Sequence, residues 1–209
     1  MPFPQTEQSV PHPPASRPDD TIPLSDVEFV VLDLETTGTA PHRAGITEVG
    51  AARYRRGERV GTFVTLVKPE FPVPPVVTAI TGITDAMLDG APPIDAVLPS
   101  LLEFAAGAVI VGHNVAFDRG FLDAALARAG RDPLPHAFLD TLALARALLV
   151  DEVPNHRLTT LAVHLRAEHT PRHRALDDAL ATADVLHALI ERAAGFGAYD
   201  LAGLSALAA

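Results

Sequence analysis

Phe29-Val30-Val31-Leu32-Asp33-Leu34-Glu35, followed by Thr36-Thr37-Gly38, decides how this chain is read. The first seven residues are an apolar run ending in acids, the pattern of a strand that leaves a core. Side chains alternate between the two faces of a strand. Phe29, Val31, Asp33 and Glu35 therefore share one face, and Val30, Leu32 and Leu34 share the other. Asp33 and Glu35 point the same way at the strand's C-terminal end. Carboxylates side by side repel unless a cation lies between them. The plainer reading, two solvated acids at a strand end, fits poorly because apolar residues precede them on both faces.

Working outward, residues 46–55 and 59–68 read as two more strands. The tight turn Arg56-Gly57-Glu58 joins them, which predicts an antiparallel hairpin. A short helix is expected from Pro75, and the turn Thr81-Gly82-Ile83-Thr84 leads into another. Ile94, Val97, Leu98, Leu101 and Leu102 have helical spacing over 94–105. Residues 108–112 read as a short buried strand and 117–129 as a helix ending before Gly130. A fifth strand is expected at 137–139, with Asp140 capping the helix after it. Helices at 158–166 and 176–193 follow, the last closed by Gly195. Three sequential strands before an alternating part predict an α/β fold, a mixed five-stranded sheet with helices on its faces.

Residues 1–25 carry seven prolines among polar residues and read as a disordered arm. Residues 26–194 read as the folded domain and 195–209 as a small apolar tail. A chain of 209 residues suits one domain with a substantial core. No apolar run approaches the ~20 residues of a membrane span, and no signal peptide is evident, so a cytoplasmic location is expected. With no cysteine, disulfides and thiolate metal sites are excluded. Any metal must be held by carboxylate, imidazole or carbonyl, which favours Mg²⁺ or Mn²⁺. A net charge of −10 argues against coating a long duplex and favours gripping a few nucleotides at a strand end.

Two further clusters complete a site. In His113-Asn114-Val115-Ala116-Phe117-Asp118, the acid lies in the first turn of a helix. Taken alone, Asp118 would be a helix-dipole partner and His113 a structural histidine. In His173-Arg174-Ala175-Leu176-Asp177-Asp178, a helical wheel places a buried stripe on Ala179, Ala183, Leu186 and Ile190. Asp177 falls almost opposite that stripe. Asp178 falls at its flank beside Thr182, Val185 and Leu189, so Asp178 is the expected metal ligand. Imidazole, with an ordinary pKa of ~6.5, suits proton abstraction from water near neutral pH, which is the role expected of His173. Arg172 and Arg174 flank it; solvated surface charge is the default for each, and contact with substrate phosphate the alternative. Together the clusters supply four carboxylates and a histidine, which suits two divalent cations and a general base for cutting a phosphodiester bond.

These clusters resemble the three motifs of the DEDD exonucleases in their histidine-bearing branch, the DnaQ-like enzymes. The branch includes the proofreading epsilon subunit of bacterial DNA polymerase III and the exonuclease domain of Gram-positive polymerase C. The matching residues are Asp33-x-Glu35-Thr-Thr-Gly, His113-Asn114-x-x-Phe117-Asp118 and His173-x-Ala175-x-x-Asp178. The resemblance covers roughly residues 27–194 and implies a ribonuclease-H-like fold. It also implies stepwise removal of nucleoside monophosphates from a 3′ end of DNA, single-stranded or frayed, in proofreading or repair. By the same resemblance, Asp33, Glu35 and Asp178 hold one Mg²⁺ or Mn²⁺ ion. Asp33 and Asp118 serve a second, His173 deprotonates the attacking water, and Thr36, Thr37, His113 and Asn114 lie by the substrate. A free-standing exonuclease, a polymerase partner and the nuclease domain of a longer repair protein all fit. An RNA-trimming exonuclease would use identical chemistry, differing in how the 2′-hydroxyl is received. A non-catalytic module that binds strand ends or a polymerase would have little reason to keep so many like charges together.

Overall fold

The computed structural model describes residues 20–209; most of the proline-rich arm lies outside them. Its strands are β1 (Glu28–Thr36), β2 (Ile46–Arg55), β3 (Glu58–Leu66), β4 (Val109–Gly112) and β5 (Phe138–Asp140). They form one sheet in the order β3-β2-β1-β4-β5. β1–β2 and β2–β3 are antiparallel, and β1–β4 and β4–β5 are parallel. This is the mixed five-stranded sheet expected from the sequence. The helices are α1 (Pro75–Thr81), α2 (Asp85–Leu88), α3 (Ile94–Ala105), α4 (Val115–Arg128) and α5 (Thr141–Leu148), followed by α6 (Leu158–His164), α7 (Ala175–Ala194) and α8 (Leu201–Leu207).

The alternation of β1 divides the core in two. Phe29 and Val31 pack with α5, α7 and α8 residues such as Leu144, Leu186 and Leu204. Val30, Leu32 and Leu34 pack with α3 and α4 residues such as Leu98, Leu101, Phe121 and Leu122. Covering both faces explains why β1 is an almost unbroken apolar run until its last residues.

Two helix boundaries differ by two residues from the sequence reading, and the others by one at most. α4 starts at Val115, two residues early, because Asn114 adopts a left-handed conformation (φ 70°) at its N-cap. α6 stops at His164 because Arg166 takes φ 56°. The N–H groups of Arg166 and Ala167 then bond back to the carbonyls of Val163 and Ala162, a Schellman closure made without glycine. Residues 20–25 and 195–209, assigned from sequence to an arm and a tail, pair with each other. The Ile22 carbonyl accepts from the Leu201 N–H (3.2 Å), and the Leu24 N–H donates to the Tyr199 carbonyl (3.1 Å). Leu201 and Leu204 of α8 are buried in the α7 side of the core. No helix among the described residues is long and apolar enough to cross a membrane.

Candidate active site

β4 pairs with β1 only at Phe29, Val30 and Val31, so the β1 edge beyond Val31 has no strand beside it. The first turn of α4 fills that gap. Asp118, buried there, accepts the Leu34 N–H at 3.1 Å. One carboxylate thus satisfies a backbone donor that the sheet leaves unpaired and lies beside the acids at the strand end.

On the other face, the start of α7 lies directly on β2. Gly50 is the register partner of Asp33. A Cβ at Gly50 would stand 2.2 Å from the Ala175 carbonyl carbon and the Leu176 nitrogen. Only glycine allows this approach of backbone to backbone. It brings Asp178 over the strand ends, where its Oδ1 accepts the N–H groups of Arg172 (2.7 Å) and His173 (3.2 Å). His173 itself is left-handed, with φ 56°, and its side chain is exposed. Ligand atoms of Glu35, His173 and Asp178 all lie within 4.8 Å of one another. Asp178 is buried and Asp177 is not. The buried face of α7 is wider than the wheel stripe: Thr182, Val185 and Leu189 are buried and Ile190 only partly so. Asp178 lies within that face because α7 packs against α5 and α6 as well as the sheet.

The electrostatics register the crowding. Burial, followed by the charges of Asp118, Asp178, Glu35 and Glu48, holds the Asp33 carboxyl well above the usual carboxylate range. Burial and the charges of Asp178 and Glu48 push Glu35 up to about 7. Burial pushes Asp118 up to about 8, against the lowering effect of its backbone hydrogen bonds. Burial also raises Asp178, while the Arg172 and His173 N–H groups and the His173 charge oppose it. Four acids that each resist ionisation need positive charge to ionise together. The donor set is all hard oxygen with one imidazole in reach, which fits a divalent cation.

Glu48 was missed by the sequence reading. It is only 2% exposed, is the register partner of Glu35, and accepts the Ala175 N–H at 2.9 Å. Arg174 donates to it through Nε (3.0 Å) and Nη2 (2.5 Å). Arg174 is therefore tied to a buried acid, while its side chain keeps part of the exposure that its default reading gave it. The available signal was a lone charge in the otherwise uncharged run Ile46-Thr47-Glu48-Val49-Gly50-Ala51-Ala52.

The four expected substrate residues separate. The Thr36 hydroxyl donates to the Gly38 carbonyl (2.7 Å). The buried Thr37 hydroxyl accepts the Gly45 N–H (3.0 Å), closing the β1–β2 loop. Both His113 ring nitrogens are engaged, Nε2 with the His156 carbonyl (2.9 Å) and Nδ1 with the Thr141 hydroxyl (3.0 Å). Burial lowers the His113 pKa, and the ring, held at both nitrogens, serves here as a strut. Asn114 is exposed, and its N–H donates to Asp140 (2.9 Å), which also caps α5 through the Leu142 N–H. His113 still lines a cleft of about 740 Å³ that also contains His173 and Asp178.

A mixed sheet with this acid cluster at the end of its central strand defines a nuclease of the DnaQ-like class. The chain belongs to the RNase_T exonuclease family, whose model matches residues 30–186. A Mycobacterium tuberculosis protein named as a bifunctional exonuclease/endonuclease is 48% identical over 195 residues, covering 90% of this chain and 30% of its own length. A PolC-type DNA polymerase III of Caldanaerobacter subterraneus is 39% identical over 182 residues, covering 83% of this chain and 13% of its own. The chain thus spans less than a third of either relative. Among solved structures, exonuclease X in complex with 5′ overhanging duplex DNA matches with a TM-score of 0.68 and 24% identity, over 87% of this chain and 99% of that one. Exonuclease I of Methylocaldum szegediense matches with a TM-score of 0.69 and 26% identity, over 79% of this chain and 41% of that one.

Proposed function

We propose that this chain is a divalent-metal-dependent 3′→5′ exonuclease that releases nucleoside 5′-monophosphates from DNA, in proofreading or repair. The observation that carries the reading is the convergence of Asp33, Glu35, Asp118 and Asp178, with His173 beside them, at one end of β1. Asp33, Glu35 and Asp178 would hold one cation, and Asp33 with Asp118 a second. Bound divalent cations supply positive charge to the attacking and leaving oxygens of a phosphodiester. His173, exposed at the cleft, takes the proton from the attacking water. Asp178 accepts the His173 backbone N–H and so fixes the segment that carries the imidazole. Water attacks phosphorus, the P–O3′ bond breaks, and the shortened strand leaves with a 3′-hydroxyl.

The choice of DNA draws on relatives named as DNA polymerase III and on a fold neighbour bound to overhanging duplex DNA. Those polymerases suggest that the unit works beside, or fused to, a polymerase, and the Mycobacterium tuberculosis relative named as a bifunctional exonuclease/endonuclease suggests a second nuclease as the alternative. The test is calorimetric titration of Mn²⁺ and Mg²⁺ into the metal-stripped chain, with matched DNA and RNA oligomers digested in parallel. Two-site binding with faster release of deoxynucleoside 5′-monophosphates is expected. Absence of divalent binding, or faster digestion of RNA, would refute the metal or the substrate assignment respectively.

A further inference from the structure

The cleft at the candidate site has a wall that the four-acid motif does not use. It is formed by α5 and the turn entering α6, and it carries Arg146 and Arg157 into the same space as His173 and Asp178. The chain as a whole is acidic, with 16 Lys+Arg against 26 Asp+Glu. Among the described residues no carboxylate forms an ion pair with either arginine. Both side chains are exposed.

The wall is braced. Asn155 accepts the Arg157 N–H (3.0 Å) and the Thr160 hydroxyl (2.8 Å). The adjoining His156 carbonyl is tied to the end of β4 through the His113 ring (2.9 Å). Arg146 lies close enough to lower the pKa of His113 by its charge, alongside the larger effect of burial. Arg146 could serve only the last turn of α5, where a cation is favoured. That role does not account for Arg157, which precedes its helix.

We propose that Arg146 and Arg157 form a phosphate clamp that holds the backbone of the strand whose 3′ end enters the acid cluster. The inference rests on the exonuclease reading above. A polyanion approaching an acidic site is repelled there, and planar guanidinium forks receive phosphate oxygens bidentately. The clamp would offset that repulsion a short way from the bond to be cut. It supplies affinity without base readout, since phosphate contacts carry no sequence information.

The test is equilibrium binding of a fluorescent dT oligomer in Ca²⁺, followed by anisotropy across KCl concentrations. Wild type is compared with the Arg146→Gln/Arg157→Gln and Arg146→Lys/Arg157→Lys double variants, with digestion in Mg²⁺ run alongside. Each phosphate contact on a single strand contributes about −0.7 to the slope of log affinity against log salt. The glutamine pair should flatten the slope by about 1.4 and weaken binding about tenfold at moderate salt. The lysine pair should retain most of the slope, because the charge remains. An unchanged slope in the glutamine pair, with circular dichroism unchanged, overturns the clamp whether or not the strand is cut. Failure of wild type to cut in Mg²⁺ or Mn²⁺ would refute the exonuclease reading, and the binding slope would still decide the clamp.

Discussion

Glu48 is a residue outside the proposed catalytic set that braces the start of α7 beside it. Its carboxylate receives both the Arg174 guanidinium and the first N–H of α7, at Ala175. Those residues immediately follow His173. Removing one partner of a buried ion pair leaves the other desolvated, although Arg174 is 43% exposed and can recover some hydration. Glu48→Gln should cost about 2 kcal/mol of stability and lower kcat more than it raises KM, as thermal melts and steady-state kinetics would show. A variant with wild-type melting and turnover would mean that Glu48 does not position His173. His173→Ala should lower kcat by about 10²–10⁴-fold, the usual contribution of a general base, with the fold intact. The acids and His173 were legible from residue types and spacing. Glu48 was not, because its importance comes from register across β1–β2. The occupied hydrogen bonds of Thr37 and His113 were also illegible, since their partners lie in other elements.

At the scale of elements, the close approach of α7 to β2 matters most. Gly50 admits the Ala175–Leu176 backbone where any side chain would collide with it. Gly50→Ala should separate the α7 start from Asp33, destabilise the protein by about 1–3 kcal/mol, and reduce activity more than its effect on melting accounts for. Activity equal to wild type in that variant would show that α7 can seat itself another way. The strands were readable because β1 and β2 are largely apolar runs buried on both faces and β3 alternates beyond a glycine turn. The sequence order also placed α3, α4 and α7 close to their observed bounds. What escaped it were features set by backbone geometry, such as the left-handed Asn114 and Arg166, and the α8 helix. The apolar residues Leu201 and Leu204 mark the tail as a segment able to dock, but the local composition does not say that they join the α7 side of the core.

For the whole molecule, the crowded acids should link stability to pH and, under the proposed function, to divalent cations. Without metal, Glu35 is held up near 7 from an ordinary 4.5, and Asp118 near 8 from 3.8. The folded state therefore keeps protons that the unfolded chain has released, and stability falls as pH rises. The contribution of Glu35 is fully present below about 4.5 and lost as pH passes about 7; that of Asp118 is lost by about 8. Metal-stripped protein should melt progressively lower from pH 5 to pH 8, and Mn²⁺ should raise the melting temperature far more at pH 8 than at pH 5. Equal metal stabilisation at both values would contradict a carboxylate site. The most direct test of the central claim is digestion of one single-stranded DNA oligomer carrying its label at either the 5′ or the 3′ end, with Mg²⁺ or Mn²⁺, beside an Asp178→Asn control. The account predicts a metal-dependent ladder from the 5′-labelled strand, immediate release of labelled mononucleotide from the 3′-labelled strand, and neither in the control. A ladder from the 3′-labelled strand, or cutting that survives in Asp178→Asn, would contradict it.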